Sequence, residues 1–180
     1  MSGPAEVIIL GEDNAHVGSI YRAIVDHLNV PRGKVRKLPT AGGCGDAKQF
    51  VLSQAPREIK LLRRGPRSTI LIIAIDGDGI SPRERLEELS NSLKNANTDQ
   101  IDPSERIAVV VPCRNIETWR EFARCEVVDE DKDYKHGRRA KWSGDDLAAV
   151  GRVLAQFPQP KENRPRALDE ASARLRKLYL

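Results

Sequence analysis

Residues 69–79, Thr-Ile-Leu-Ile-Ile-Ala-Ile-Asp-Gly-Asp-Gly, carry the strongest structural signal in the chain. Six consecutive residues, Ile70 to Ile75, are apolar and most of them are β-branched. Because a half-exposed strand would alternate apolar and polar residues, this run predicts a strand over 68–75 that is covered on both faces. The aspartates and glycines that follow mark the end of that strand.

Apolar runs on either side predict more strands, over 6–10, over 106–111 and, with weaker patterning, over 34–38. Segments with helical spacing separate and follow them, and they predict helices over 16–28, 46–54, 81–93, 115–122, 145–157 and 166–180. This alternation predicts an α/β fold, a mainly parallel, Rossmann-like sheet with helices on both faces and right-handed crossovers. We expect an α/β core over 1–125, with a basic irregular segment and C-terminal helices over 126–180 packed on it.

Composition excludes several classes of protein. The 180 residues include 30 Lys+Arg and 26 Asp+Glu, and 39% are hydrophobic, which is too many for a disordered chain. No apolar run approaches the roughly 18 residues of a membrane span. The three cysteines, Cys44, Cys113 and Cys125, lack the spacing of a disulfide framework or a zinc site. We therefore expect a globular cytoplasmic protein with no membrane partner.

Acidic residues follow three of the predicted strands. Glu12 comes after the first, Asp76 and Asp78 after the central one, and Glu117 after the strand over 106–111. Because parallel strands end at the same edge of a sheet, these carboxylates are expected to converge there. Clustered carboxylates are costly to bury unless a cation neutralises them, and oxygen ligands suit Mg²⁺ or Mn²⁺. The pattern predicts a metal site formed by Glu12, Asp76, Asp78 and Glu117.

Each of these residues also has a simpler interpretation. Asp-Gly pairs are common in turns, Glu12 is compatible with a solvated loop, and Asp13 is suited to capping the following helix. Glu117, next to Trp119 at a helix start, is compatible with a structural role. His16 follows Glu12 by four residues and could reach the acidic edge, but a helix-surface histidine is the favoured interpretation.

The order of these motifs resembles the Toprim family, which includes topoisomerases, bacterial primases and OLD-type nucleases. The resemblance covers roughly residues 5–125 and rests on Gly11-Glu12, on Asp76-Gly77-Asp78, and on the stretch Pro112…Asn115-Ile116-Glu117-Thr118-Trp119, which is similar to small stand-alone Toprim-like proteins. Asp13 stands where many members of the family have glycine.

The resemblance implies Mg²⁺-dependent phosphodiester hydrolysis of nucleic acid, in a bacterial defence or DNA-processing system. By the same resemblance, Asp76 and Asp78 hold metal, Glu12 shares the metal or transfers protons, and Glu117 is an additional ligand. Metal ions can neutralise the phosphoryl oxygens and the attacking and leaving oxygens, so such a site needs no nucleophilic side chain.

Basic residues cluster in three segments, and the third is the best candidate for nucleic-acid binding because aromatic residues lie among the charges. Its members are Lys132, Lys135, Arg138, Arg139 and Lys141. For any one cluster, a solvated surface is the simpler interpretation. A protein partner is also expected, since the chain has no separate recognition module or ATPase motif.

Two other functions stay open. The chain could be a non-catalytic Toprim-like effector that binds a nucleotide or a partner protein and keeps its carboxylates for structure. A receiver-like signalling domain with Asp76 as phospho-acceptor is less favoured, because no Lys-Pro pair follows the last predicted strand.

Overall fold

A computed structural model describes residues 4, 6–40, 46–124, 126–135, 141–156 and 164–178. Its four strands form one sheet in the order β2-β1-β3-β4, and every neighbouring pair is parallel. The strands are β1 (Val7–Gly11), β2 (Val35–Lys37), β3 (Ile70–Ala74) and β4 (Ile107–Val110). The predicted α/β fold with a parallel sheet is confirmed, and the most apolar strand, β3, lies between β1 and β4.

Six α-helices accompany the sheet in the described residues: α1 (Asn14–Arg22), α2 (Ala47–Arg64), α3 (Pro82–Asn95), α4 (Glu117–Ala123), α5 (Gly144–Ala155) and α6 (Arg166–Lys177). A π-helical turn, Ala23–His27, extends α1, and a 3₁₀ turn, Arg32–Lys34, precedes β2. Helix α3 begins with a capping box, in which the side chains of Ser81 and Glu84 each accept the other residue's backbone N–H.

Alternate residues of β1, β3 and β4 enter two different cores. Val7 and Ile9 pack in the core that includes residues of α1, α4, α5 and α6. Ile8 and Leu10 pack in the core on the other face, with residues of α2 and α3. Because both faces are covered, the strands tolerate continuous apolar sequence, as the run over 70–75 predicts. Residues of α5 and α6 pack with β1, while the boundary at residue 125 stays a prediction.

The short helix predicted over 46–54 is wrong in length, because α2 continues to Arg64 through Pro56. A proline cannot donate to the carbonyl four residues earlier, so a helix usually ends near one. Here the Ser92 hydroxyl of α3 donates to the Leu52 carbonyl at 2.6 Å. The carbonyl that Pro56 leaves unpaired thus gains a partner from a neighbouring helix.

Among the helices of the described ranges, none has both the length and the apolar composition that crossing a bilayer requires. Residues 41–45, which include Cys44, lie outside the described residues, as do Cys125, His136, Arg138 and Arg139.

Candidate functional site

The carboxyl end of β1 leads into α1 through two acidic residues. Asp13 has extended backbone angles and caps α1, because its Oδ1 accepts the backbone N–H of His16 at 3.0 Å. The predicted capping role of Asp13 is confirmed. Glu12 turns the other way, towards the end of β3, where its Oε1 accepts the backbone N–H of Asp76 at 3.1 Å.

His16 is fully buried between two carboxylates. Its Nδ1 lies 2.9 Å from Oδ1 of Asp13, and its Nε2 lies 2.9 Å from Oδ1 of Asp76. Each ring nitrogen thus lies within hydrogen-bond distance of a carboxylate oxygen, an arrangement that favours the doubly protonated imidazole. Burial alone would lower the pKa of His16, but Asp76 and Asp13 outweigh it and raise that pKa well above its usual value. The same ion pair outweighs burial at Asp13 and lowers the pKa of its carboxyl.

The helix-surface interpretation of His16 is therefore wrong. The sequence held a signal for its burial, because His16 precedes Ile20 by four residues and so shares the apolar face of α1. His16 is thus a residue of this site for which the local sequence predicts no functional role.

Asp76 is the most enclosed acid of the site, with 1% of its surface exposed. Its Oδ1 accepts the backbone N–H of Ile116 at 3.0 Å in addition to His16. Its Oδ2 lies 3.0 Å from the ammonium nitrogen of Lys135. The two oxygens thus have separate roles, since Oδ1 is held by the protein framework and Oδ2 faces a cation.

Asp78 reaches the same cation from the turn after β3. Its backbone φ is 52°, and its Oδ1 lies 3.1 Å from Nζ of Lys135. The turn is fixed against the loop after β4, because Gly77 N–H donates to the Pro112 carbonyl at 3.0 Å and Asp78 N–H donates to the Arg114 carbonyl at 2.8 Å. The two predicted ligands on either side of Gly77 therefore converge on one positively charged atom.

The fully buried guanidinium of Arg85, on α3, supports this turn from the other side. Its Nη2 donates to the Gly77 carbonyl at 2.6 Å and lies 3.8 Å from Oδ2 of Asp78. A further cationic group, itself paired with Glu88 of the same helix, thus lies behind the aspartates.

Glu12 has a strongly shifted acidity. Burial, followed by the negative charges of Asp76 and Asp78, raises the pKa of its carboxyl from 4.5 to about 7, although His16 opposes the shift. At neutral pH the carboxyl is therefore divided between its protonated and ionised forms. A side chain with such a pKa can both accept and donate a proton.

Glu117 lies at the start of α4, directly after the residue whose amide binds Asp76. Its Oε1 accepts from Nε1 of Trp142 at 3.1 Å. Its Oε2 is buried and has no hydrogen-bond donor among the described residues. The structure thus links Glu117 to the site through the backbone of Ile116 and leaves one of its oxygens available.

The segment over 126–135, here named the Lys135 segment, has no regular secondary structure but is held at several points. Asn115 donates from its side chain to Oδ1 of Asp133 at 2.9 Å, and the same oxygen accepts the backbone N–H of Lys135 at 2.8 Å. At the other end, the two oxygens of Glu130 accept the backbone N–H groups of Arg166 and Ala167. These contacts place Lys135 over the strand ends.

Acidic residues of this segment also surround Cys113. The thiol lies 3.6 Å from Oδ1 of Asp131, and burial together with the acidic neighbours raises its pKa to about 11. Cys113 is a free thiol that stays protonated at neutral pH, as expected for a cysteine without a catalytic role.

The predicted nucleic-acid-binding residues have different environments. Lys132 is exposed, with Nζ 5.4 Å from the centroid of the Tyr134 ring, and Lys141 is exposed as well. Lys135 instead faces the two aspartates. Several residues of the other basic clusters bind within the protein, as Arg63 does by donating to Glu105 at 2.6 Å and 3.0 Å.

The residues at this edge fit a hard divalent cation in one respect. Asp76 and Asp78 each direct an oxygen at one cationic nitrogen, and Mg²⁺ is commonly held by one or two carboxylates together with waters and substrate phosphates. Within the described ranges, no group of three or more His, Cys, Asp and Glu side chains is arranged to hold a metal ion. The geometry thus offers a pair of ligand oxygens rather than a closed cage.

Comparison of the sequence with protein-family models gives no match, and comparison with curated proteins gives none either. Among solved structures, the chain is similar to the C-terminal region of the OLD protein of Xanthomonas campestris pv. campestris, phased with iodine. The TM-score is 0.38 and the identity 17%, over 96% of this chain and 95% of the other. A TM-score of this size carries no argument about function, so the function is argued from the geometry of the site.

Proposed function

We propose that this protein is a Mg²⁺-dependent phosphodiester hydrolase that acts on nucleic acid. One observation carries the proposal. At the carboxyl ends of adjacent parallel strands, the Asp76 and Asp78 carboxylates share a cation, next to a buried glutamate with a pKa of about 7. Such an arrangement suits both the binding of positive charge and the transfer of protons.

The roles follow from the contacts of each side chain. Asp76 and Asp78 would hold Mg²⁺ or Mn²⁺ through the two oxygens that now contact Lys135. The bound metal would neutralise charge on the phosphoryl and leaving oxygens. Glu12 would move the proton of the attacking water or of the leaving group, since its carboxyl is fixed beside Asp76 and titrates near neutral pH.

Positive residues around the acidic edge would bind the phosphate backbone. Lys132 and Lys141 are exposed, and we include in the proposed surface Arg138 and Arg139, whose positions in the sequence fall between these two lysines. Phosphate contacts of this kind give affinity without sequence preference and weaken as salt increases.

The test is cleavage of plasmid DNA and of RNA in the presence of Mg²⁺ or Mn²⁺, with chelator as the blank. Asp78→Asn removes a ligand charge from a side chain that is 39% exposed, so folding should survive. We expect cleavage to fall by at least about a hundredfold. Asp145→Asn, at an exposed position of α5, is the matched control and should cut as the unaltered protein does.

One observation favours a second function, a non-catalytic effector that binds a nucleotide or a partner protein. The ammonium of Lys135 already neutralises Asp76 and Asp78, so the acidic pair has a structural explanation as well. If the unaltered protein cuts neither DNA nor RNA with either metal, the hydrolase proposal fails and the effector function is favoured.

A further inference from the structure

Lys135 contacts the two oxygens that a metal ion would need. Oδ1 of Asp76 is already used twice, by the Ile116 amide and by His16, which leaves Oδ2. Oδ2 lies 3.0 Å from Nζ of Lys135, and the nearer oxygen of Asp78 lies 3.1 Å from the same nitrogen. The lysine therefore competes with any cation for the same pair of atoms.

We propose that the ammonium of Lys135 is a tethered occupant of the cation position, and that a divalent metal binds there by displacing it. This inference rests on the proposed function, because it concerns the metal that the hydrolase would use. Two positive charges at one pair of oxygens repel each other, and metal–oxygen bonds of about 2.1 Å leave no room for the ammonium at its present distance.

The structure makes such an exchange feasible. The backbone of Lys135 is anchored by Asp133, which in turn is bound by Asn115, so the anchor does not depend on the ammonium. The side chain is 39% exposed and has four flexible methylene groups, so it can turn into solvent.

Two other cationic side chains contact the aspartates. His16 and Arg85 also face the aspartates, and both remain in place when the lysine leaves because neither binds through it.

The consequence can be measured on the protein without substrate. When a site is open for only a fraction of the time, its apparent dissociation constant is the intrinsic one divided by that fraction. If Lys135 occupies the position about nine-tenths of the time, its removal strengthens metal binding about tenfold. We expect this gain for Lys135→Met, measured by titration with Mn²⁺ and detection of free Mn²⁺ by electron paramagnetic resonance.

Lys132→Met is the matched control, because Lys132 belongs to the same segment and contacts the Tyr134 ring rather than the aspartates. Its Mn²⁺ affinity should equal that of the unaltered protein. A Lys135→Met protein that binds Mn²⁺ no more tightly than the unaltered protein would overturn the inference.

A second measurement needs no variant. Labelling with an amine-reactive acetylating reagent, followed by mass spectrometry, should show Lys135 protected without metal and several-fold more reactive with Mg²⁺, while Lys132 is unchanged. Equal labelling of Lys135 with and without saturating Mg²⁺ contradicts the inference.

These outcomes separate the two proposals. If Mn²⁺ binds but Lys135 has no effect, the inference fails and the hydrolase proposal stands. If Lys135→Met strengthens binding but no nucleic acid is cut, the inference stands and the hydrolase proposal fails. Absence of Mn²⁺ binding to both proteins contradicts both.

Discussion

Glu12 links the stability of the protein to pH. Burial and two neighbouring carboxylates raise the pKa of its carboxyl in the folded state from 4.5 to about 7. Between these values the folded protein binds more protons at this group than the unfolded chain does. The contribution of Glu12 to the free energy of unfolding is therefore fully present below pH 4.5 and is lost as the pH rises through about 7.

Glu12→Gln should make the protein more stable at alkaline pH. The amide keeps an oxygen that can accept the Asp76 N–H, and it removes the buried charge. At about pH 8 we expect the free energy of unfolding to rise by about 2–3 kcal/mol, while near pH 4 it should change little. Urea denaturation at the two pH values measures this. Glu87→Gln, an exposed change on α3, should show no such difference, and a pH-independent effect of Glu12→Gln would contradict the assigned shift.

For individual residues of the site, the sequence identifies the acidic side chains better than the cationic side chains that neutralise them. Glu12, Asp76 and Asp78 could be selected because strand ends are visible in the pattern. His16 is harder to identify, because its spacing from Ile20 indicates burial but says nothing about its contact with Asp76. The sequence predicts that Lys135 binds phosphate. Its contact with Asp76 is not predictable, because the two residues are far apart in the sequence.

The turn between β3 and α3 depends on the absence of a side chain at Gly77. A Cβ at this position would lie 1.8 Å from the Cys113 carbonyl oxygen, so the loop after β4 could not keep its place. That loop carries the Ile116 amide that binds Asp76. The close approach of the two loops is thus part of the construction of the site.

Gly77→Ala should be severely destabilising. We expect a loss of about 3 kcal/mol in the free energy of unfolding, because the clash is with backbone and cannot be relieved by a side-chain rotation. Gly33→Ala is the matched control, since an added Cβ there meets no atom within 4 Å. Chemical denaturation of the two variants gives the comparison, and equal midpoints would show that the two loops can separate without cost.

Helix α2 shows where local sequence reasoning fails at the scale of an element. Pro56 and the basic residues after it suggest that the helix stops, and the prediction ended at residue 54. The hydroxyl of Ser92 compensates for the proline from another helix. Helix α3 was predicted well because its start signals, Ser81, Pro82 and Glu84, all lie within one turn.

For the whole molecule, the alternation of strands and helices was sufficient to predict a parallel sheet with both faces covered. The apolar residues of β1 and β3 carry that prediction, because their alternate side chains enter two separate cores. The order of the strands and the position of the Lys135 segment could not be predicted, since they depend on packing between distant parts of the chain.

The α/β core, predicted over 1–125, and the C-terminal extension over 126–180 should unfold together. Helix α5 approaches α1 closely, because a Cβ at Gly151 would lie 2.6 Å from that of Arg22, and Val150 and Leu168 share a core with β1. Trp119 reports on the core and Trp142 on the extension. In Trp119→Phe and in Trp142→Phe, we expect the fluorescence of the remaining tryptophan and the far-ultraviolet circular dichroism to change at the same urea concentration.

If the fluorescence of Trp142 changes before the circular dichroism in Trp119→Phe, the extension unfolds independently and residues 126–180 form a separate unit.

Glu130 connects the start of helix α6 to the segment that carries Lys135. Its carboxylate binds the first amides of α6, and it lies five residues before Lys135 in the same anchored segment. Any force that draws α6 away from the sheet therefore also pulls on the segment that carries Lys135. The amide hydrogens of Arg166 and Ala167, followed by hydrogen exchange, would report remotely on whether that segment is seated over the aspartates.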